Sequence, residues 1–325
     1  MNGKGIILLA LKPHRLPADA QARIKAIDGT RTLFASDDRK EIEARLSDTE
    51  IAGGDFPPDL IPRLNALRWY QSWSAGTDWL QKFPETKVQP FILTSTSGMH
   101  ATQMNEHLFG LILSWCKKFP AAFAAQSRKE WYRPQTSQLC ELTGKTMLIL
   151  GLGAIGEQTA TIARAFGMSV IGVRRSPRKD EKRTDNVRIA LFDELPALLP
   201  LADVVVNILP YTSKTRDLIN RDYFTRMKKT ALFANIGRGG TVNEMDLTAA
   251  LEENLIAGAV LDVTAVEPLP TDSPLWKREN VIITAHYAGN HSQYDQIAFD
   301  IFLENLARFT RGEMLVNVVD KNLGY

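Results

Sequence analysis

The chain has little cysteine, no long hydrophobic run near its start and almost no excess of one charge. Two cysteines in 325 residues are too few for a disulfide framework or a thiolate metal site. The apolar run at residues 6–11 is too short for a secretory signal core or a membrane span. A net charge of +2 argues against a nucleic-acid or acidic-membrane binder. We therefore expect a cytoplasmic protein with reduced cysteines and no bound metal.

Short apolar runs are present instead, and they alternate with segments of helical spacing. Strand candidates in the first hundred residues are 6–11, 32–34, 68–70 and 91–93, and helix candidates are 17–27 and a segment from Asp37/Asp38 through 46. Later strand candidates are 147–150, 170–173, 204–209, 232–236, 259–263 and 281–284. Helical spacing also marks 103–125 and 293–309. This alternation is typical of parallel sheets covered by helices.

The length suggests about two domains. We expect an α/β protein of two doubly wound parallel-sheet domains with a cleft between them. Residues 101–287 would form a Rossmann-type dinucleotide-binding domain, because their strand series is the clearest in the chain. A flavodoxin-like, substrate-binding domain would combine residues 1–100 and 288–325, since the last helical segment is expected to return to the first domain.

A glycine-rich turn follows the first strand of the second series. Residues 151–156 read Gly-Leu-Gly-Ala-Ile-Gly and lead into a helical segment. Gly151 would allow the tight turn, Gly153 would let the backbone approach a pyrophosphate, and Gly156 would let the helix pack on the strand. Ala154 and Ile155 complete the loop, whose helix N-terminus would attract phosphate. An ordinary strand–helix turn is the alternative.

The type of cofactor is indicated at the end of the next strand. A site for NAD would place a carboxylate there to accept from the ribose 2′-hydroxyl. The chain has Arg174, Arg175 and Ser176 instead, within a ten-residue stretch that holds six basic and two acidic residues. Guanidinium groups can bind a 2′-phosphate, so we predict that NADP(H) is preferred, with NAD(H) as the other option. A solvated basic loop is the alternative.

Three polar residues follow later strands of the second series: Arg238, Glu267 and His286. Ligands of open α/β sheets bind at the carboxyl ends of the strands. Each residue has a structural alternative: a surface ion pair for Arg238, a turn residue for Glu267 and a core histidine for His286. Their shared position beyond strand ends, together with the glycine loop, favours a reaction site.

Several ordered motifs make the chain resemble the D-isomer-specific 2-hydroxyacid dehydrogenases, and within them the glyoxylate/hydroxypyruvate reductase branch. Besides the glycine loop, these motifs are the residues at 74–78, 144–146, 209–212, 235–240, 261–270 and 284–286. The residue before the catalytic histidine is commonly proline in the family, and here it is Ala285. This difference loosens a backbone constraint and leaves the chemistry intact.

The resemblance implies roles for individual residues. Arg238 would bind the carboxylate of a 2-oxoacid, together with the backbone N–H groups of Ala75 and Gly76. His286 would protonate the carbonyl oxygen as hydride arrives, and Glu267 would orient the imidazole. The cofactor contacts implied by the resemblance are Pro210, Thr215 and Asp262, the last toward the nicotinamide carboxamide.

The function implied is NADPH-dependent reduction of small 2-oxoacids to D-2-hydroxyacids. Glyoxylate and hydroxypyruvate come first as substrates, and longer aliphatic or aromatic 2-oxoacids second. A dinucleotide-sensing, corepressor-like binding protein on the same scaffold is the alternative. The resemblance also implies a homodimer, in which Trp131 would reach the neighbouring subunit's active site.

Overall fold

The structure is a computed structural model that describes residues 5–175 and 187–324. Strands and α-helices alternate along the chain. In order they are β1 (Ile6–Ala10), α1 (Ala20–Ile27), β2 (Thr32–Ala35), α2 (Arg39–Glu43), β3 (Thr49–Gly54), β4 (Trp69–Ser72), α3 (Trp79–Lys82), β5 (Ile92–Thr94), α4 (Ala101–Cys116), α5 (Phe119–Ser127), β6 (Thr146–Leu150), α6 (Ala154–Ala165), β7 (Ser169–Arg174), β8 (Val187–Leu191), α7 (Leu195–Leu198), β9 (Val204–Asn207), α8 (Arg221–Arg226), β10 (Leu232–Asn235), α9 (Glu244–Glu252), β11 (Gly258–Leu261), β12 (Val281–Ile283) and α10 (Tyr294–Arg311).

The chain divides into two compact units. The first unit combines Met1–Met99 with His291–Tyr325, and the second unit is His100–Asn290. Each unit is a parallel α/β domain, as expected from the alternation of strands and helices. The first boundary lies one residue from the one predicted at 100, and the second lies three residues from the one predicted at 288.

The first unit has a five-stranded parallel sheet in the order β2-β1-β3-β4-β5. This is the flavodoxin-like order, with its reversal between β1 and β3. The C-terminal helix α10 covers one face of the sheet, where the rings of Trp69 and Phe302 stack 5.2 Å apart. Leu8, Leu60 and Tyr70 belong to the core on the opposite face.

The second unit has a seven-stranded parallel sheet in the order β12-β11-β10-β9-β6-β7-β8. Counted from β6, this is the Rossmann order extended by one strand, and it reverses between β6 and β9. Both faces of the sheet are buried, which explains the continuous apolar runs of its strands. The glycine loop follows β6, so it lies at the reversal point where such sheets bind ligands.

Two strands were absent from the sequence prediction, for different reasons. The β3 sequence ends in Gly53 and Gly54 and has weak strand propensity, yet it pairs with β1 and β4 at the centre of its sheet. The β8 strand forms a sheet edge and includes the exposed Arg188, so its sequence has no continuous apolar run. Both strands therefore form because they pair with neighbouring strands, and their local sequences do not indicate this pairing.

The helical segment predicted over 103–125 is two helices rather than one. Lys118 adopts a left-handed conformation with φ of 58°, and Pro120 begins the next turn, so α4 and α5 meet at a bend of 72°. Among the described residues, no single helix is long and apolar enough to cross a membrane, and only this bent pair, taken together, has the necessary length and composition. Leu108, Ile112 and Cys116 of α4 are buried in the core of the second unit.

Candidate active site

The glycine loop has the geometry of a phosphate-binding turn. Gly151 has φ of +105°, which favours glycine, and its N–H donates to the carbonyl oxygen of Val173 at 3.0 Å. A Cβ at Gly156 would collide with the carbonyl oxygen of Gly151, so only glycine lets α6 pack this closely. A Cβ at Gly153 would meet nothing within 4 Å. The loop therefore leaves open space beside the N-terminus of a twelve-residue helix.

A buried asparagine joins the first turn of α6 to α4. Asn105 donates from Nδ2 to the carbonyl oxygens of Ala101 and Ile155, at 2.7 and 3.2 Å. Its Oδ1 accepts from the hydroxyl of Thr159 at 2.6 Å. These bonds fix the turn that contains Ala154 and Ile155. Sequence reasoning missed Asn105 because its two partners in α6 lie about fifty residues away.

The two arginines after β7 have different surroundings. Arg174 is 8% exposed, and its Nη2 donates to the carbonyl oxygen of Leu152 at 3.1 Å and lies 3.3 Å from Glu157 Oε1. Arg174 therefore bonds to the glycine loop itself. Arg175 is exposed to solvent. Ser176, also predicted to bind the cofactor, lies outside the described residues.

Pro210 and Thr215, the next predicted cofactor residues, lie in one turn after β9. The Thr215 hydroxyl donates to the carbonyl oxygen of Pro210 at 2.6 Å. The same hydroxyl accepts from the N–H of Thr212 at 2.8 Å. Pro210 is exposed on this turn, which lies next to the glycine loop because the backbone of Gly151 approaches Ile208 closely.

Arg238 extends from a loop that a buried amide network supports. Asn207 Nδ2 donates to Asn235 Oδ1 at 2.9 Å and to the Thr241 hydroxyl at 2.7 Å. The Thr241 hydroxyl donates in turn to the carbonyl oxygen of Arg238 at 2.6 Å. Arg238 is half-buried, with Nη1 donating to the carbonyl oxygen of Gly237 at 2.8 Å. The network fixes the backbone from which the guanidinium extends.

The side chains of Glu267 and His286 lie within hydrogen-bond distance of each other. The distance between His286 Nδ1 and Glu267 Oε2 is 2.6 Å. An ionised carboxylate only accepts, so Nδ1 carries the proton and Nε2 is left on the far side of the ring. The other carboxylate oxygen of Glu267 accepts from the N–H of Thr264 at 3.1 Å. Both side chains remain partly exposed, at 47% for His286 and 37% for Glu267.

His286 has a strained backbone that Asp262 stabilises. Its φ is +53°, a left-handed conformation that is uncommon for residues other than glycine. The Asp262 carboxylate accepts from the N–H groups of Tyr287 and Ala288, at 3.2 and 3.1 Å, and from the Thr284 hydroxyl at 2.7 Å. Asp262 is 2% exposed. Asp262 thus holds the loop that contains His286. The predicted contact between Asp262 and the nicotinamide stays a prediction.

The half-buried His107 of α4 also contacts this group. Its Nε2 lies 2.9 Å from the Thr284 hydroxyl and 3.5 Å from Asp262 Oδ1. Its ring meets the Tyr287 ring edge-on, with centroids 5.0 Å apart. Sequence reasoning missed His107 as part of this site. No sequence pattern connects it to residues about 155–180 positions away.

The remaining predicted substrate residues belong to the first unit. Ala75 and Gly76 lie after β4, and both are half-buried. The N–H of Gly76 donates to the Ser74 hydroxyl at 3.1 Å. A substrate carboxylate would have to share or replace that bond. No group of three potential metal ligands occurs within residues 5–175 and 187–324.

Comparisons with known proteins extend these observations. Residues 109–288 match the family described as D-isomer specific 2-hydroxyacid dehydrogenase, NAD binding domain. The chain is 32% identical over 286 residues to the D-3-phosphoglycerate dehydrogenase of Methanocaldococcus jannaschii, covering 87% of this chain but only 54% of that protein. It is 33% identical over 269 residues to the glyoxylate reductase of Thermofilum pendens, covering 82% and 77% of the two chains.

A solved structure is similar over the full length. It is the NADPH-dependent glyoxylate/hydroxypyruvate reductase of Sinorhizobium meliloti, in complex with NADP and sulfate. The TM-score is 0.82 at 29% identity, and the match covers 99% of this chain and 100% of that one. Together with the sequence match, this identifies both the fold and the family.

Proposed function

The chain belongs to the D-isomer-specific 2-hydroxyacid dehydrogenase family, and we propose that it reduces small 2-oxoacids to D-2-hydroxyacids with NADPH. Glyoxylate and hydroxypyruvate are the first candidate substrates. The observation that carries the proposal is the 2.6 Å contact between His286 Nδ1 and Glu267 Oε2. An imidazole held by a carboxylate in the same unit as a glycine loop is suited to proton transfer beside a dinucleotide.

The residues of the second unit fit a dinucleotide. The open space at Gly153 and the N-terminus of α6 would hold a pyrophosphate, whose charge the helix end favours. Pro210 and Thr215 would contact the cofactor from the neighbouring turn. When bound, a reduced nicotinamide cofactor would supply the hydride.

The protein side chains would perform the remaining chemistry. The Arg238 guanidinium would bind the substrate carboxylate through two parallel N–H donors and polarise the adjacent carbonyl. Protonated His286 would donate from Nε2 to the carbonyl oxygen as the carbon is reduced, and would accept the proton in the reverse direction. Glu267 would fix the tautomer and stabilise the imidazolium. In the first unit, the N–H groups of Ala75 and Gly76 would donate to substrate oxygens.

The preference for NADPH depends on the arginines after β7. Arg175 is exposed to solvent and carries a guanidinium group, so it is the residue that we expect to bind a 2′-phosphate. Arg174 bonds to the Leu152 carbonyl in the glycine loop. Its positive charge would attract the phosphate across that loop. The Sinorhizobium meliloti enzyme, which is NADPH-dependent, supports this assignment.

A homodimer and a cytoplasmic location are further parts of the proposal. Four exposed aromatic side chains lie in one segment of the second unit, from the start of α5 to the loop after it: Phe119, Phe123, Trp131 and Tyr132. Trp131 is 93% exposed. Exposed aromatic residues grouped in this way are typical of a surface that another protein covers. A second copy of this chain is the partner that we propose.

Absorbance assays with purified protein test the proposed reaction. NADPH and NADH would each be mixed with glyoxylate, hydroxypyruvate, a longer aliphatic 2-oxoacid and an aromatic 2-oxoacid. We expect NADPH to be oxidised fastest, with one of the two small substrates. Tight cofactor binding without oxidation by any 2-oxoacid would overturn the proposal and favour a dinucleotide-sensing binding protein.

A further inference from the structure

The two cysteines of the chain are neighbours in the second unit although they are 24 positions apart in sequence. Cys116 is the last residue of α4, and Cys140 lies between α5 and β6. The N–H of Cys140 donates to the carbonyl oxygen of Cys116 at 3.2 Å. Both are free thiols, and each side chain interacts with the other. The fold therefore brings together the only two thiols that the sequence contains.

The two thiols are near enough to react with each other. Their side chains form a hydrogen bond, in addition to the backbone hydrogen bond between the two residues. A disulfide requires two cysteines whose side chains point toward each other, and this thiol–thiol contact meets that requirement.

The two thiols differ in access and in acidity. Cys116 is 2% exposed, whereas Cys140 is half-buried. The Cys116 thiol and the charges of Lys118 and Lys117 lower the pKa of Cys140 to about 7, although partial burial opposes this. The Cys140 side chain and burial raise the pKa of Cys116. Cys140 is thus the accessible nucleophile, and Cys116 is a protected thiol beside it.

We propose that Cys116 and Cys140 form a peroxide-sensitive dithiol, in which Cys140 is oxidised first and Cys116 then closes an intramolecular disulfide. The Cys140 thiolate attacks a hydroperoxide, the O–O bond breaks, and a sulfenic acid forms while the leaving oxygen takes a proton. The sulfur of Cys116 then attacks the sulfenic sulfur. The S–S bond forms, the S–O bond breaks, and the hydroxyl leaves as water with the Cys116 proton. Two electrons pass from the thiols to the peroxide.

Thiol counting on the full chain tests the proposal. Reduced protein would be treated with hydrogen peroxide, alkylated and digested, and the peptides would be identified by mass spectrometry. We expect both thiols to disappear together, with one linked peptide pair and no covalent dimer on a non-reducing gel. Dithiothreitol should restore both thiols. Two thiols that persist after treatment, or a disulfide between chains, would overturn the proposal.

Two variants separate the roles of the cysteines. In Cys116→Ala, dimedone should trap a sulfenic acid at Cys140, because no resolving thiol remains. In Cys140→Ala, Cys116 should stay reduced under the same conditions. Alkylation of Cys140 in the unmodified chain should accelerate as pH rises through about 7, and in Cys116→Ala this rise should move to a higher pH. Oxidation of Cys116 in the absence of Cys140, or an unshifted pH profile, would contradict the assignment.

Discussion

At the scale of single residues, the candidate site combines reactive groups with backbone atoms that hold them. Glu267 bonds to His286 with one oxygen and to the N–H of Thr264 with the other. Arg238 lies on a loop supported by buried amides. A side chain whose partners are fixed loses less conformational freedom when substrate binds. These bonds therefore hold the proposed catalytic groups of the second unit in place before any substrate binds.

Replacing the histidine tests its role in proton transfer. His286→Ala should lower kcat by about two to four orders of magnitude, the usual contribution of a positioned general acid. Glu267→Gln should lower kcat less, because the imidazole remains but its tautomer and charge lose their support. The measurement is steady-state kinetics on the best 2-oxoacid. His14→Ala, at an exposed histidine of the first unit, is the matched control. Near-normal turnover by His286→Ala would remove His286 from the reaction.

The two arginines after β7 should respond differently to substitution. Arg175→Ala should lower kcat/KM for NADPH about 10- to 100-fold, the effect of losing a charge-assisted hydrogen bond, and should affect NADH much less. Arg174→Ala should lower kcat/KM for both cofactors, since Arg174 bonds to the Leu152 carbonyl in the glycine loop. Equal losses for both cofactors in Arg175→Ala would refute its role at the 2′-phosphate.

At the scale of elements, helix α4 supports two turns of the candidate site. Asn105 bonds to the first turn of α6, and His107 contacts the loop that contains His286. Both side chains come from the same stretch of one helix. The hydrogen-bonded group of His107, Thr284 and Asp262 stabilises a positive φ that would otherwise be costly at His286.

His107 should therefore act on catalysis by positioning the histidine loop. His107→Ala removes a hydrogen bond worth about 0.5–1.5 kcal/mol, so kcat should fall about 2- to 10-fold while KM changes little. Kinetics and thermal unfolding would be measured together. Glu106→Ala changes the exposed neighbour on the same helix and should have no comparable effect. A change in KM alone, or in thermal stability alone, would argue against positioning.

Asp203 joins the starts of three strands in the second sheet. Its Oδ2 accepts from the N–H of Thr146 at 2.9 Å, its Oδ1 accepts from Lys228 Nζ at 2.9 Å, and its carbonyl oxygen accepts from the N–H of Leu232. Burial acts to raise the pKa of Asp203, but the hydrogen bonds from Thr146 and Lys228 to its carboxylate outweigh burial, so the pKa lies below its ordinary value. A carboxyl group whose pKa is lower in the folded state stabilises the fold at pH values above its unfolded-state pKa of about 3.9.

Asp203→Asn should therefore lower the free energy of unfolding by about 1–2 kcal/mol at neutral pH. The difference from the unmodified chain should persist down to about pH 4–5, and it should disappear as pH falls through the lowered pKa of Asp203. Urea unfolding over a pH series measures it. Asp222→Asn breaks an exposed ion pair with Arg226 and should change stability by less than about 0.5 kcal/mol. A difference that does not depend on pH would contradict the role of the charge.

At the scale of the whole molecule, the strands with continuous apolar runs and the residues after them could be predicted from sequence. Parallel sheets bury both faces, so their strands have continuous apolar runs that are easy to recognise. Because the strands run in the same direction, the residues that follow them, such as Arg238 and His286, lie at one edge of the sheet. The contacts of His107 and the inward bonding of Arg174 could not be predicted. They depend on side-chain packing between distant segments, and no local periodicity encodes such contacts.

The exposed aromatic segment of the second unit predicts the state of assembly. Light scattering after gel filtration should give about twice the 36.3 kDa mass of one chain. The double variant Phe123→Ser with Trp131→Ala should shift the protein toward one chain, because it removes the most exposed rings of the segment. Trp276→Ala, at an exposed tryptophan elsewhere, is the control. A single-chain mass for the unmodified protein would refute the dimer.

The contribution of α10 to the first unit has a consequence for biosynthesis. Phe299 and Phe302 of this helix complete the core around Trp69 and Trp73. The first 99 residues therefore leave the ribosome with one face of their sheet only partly covered, by α1, until α10 emerges about 200 residues later. At about 5–20 residues per second, this delay lasts roughly 10–40 s. The second unit can fold within that interval, so we expect it to fold first although its synthesis begins later, with chaperones protecting the exposed tryptophans.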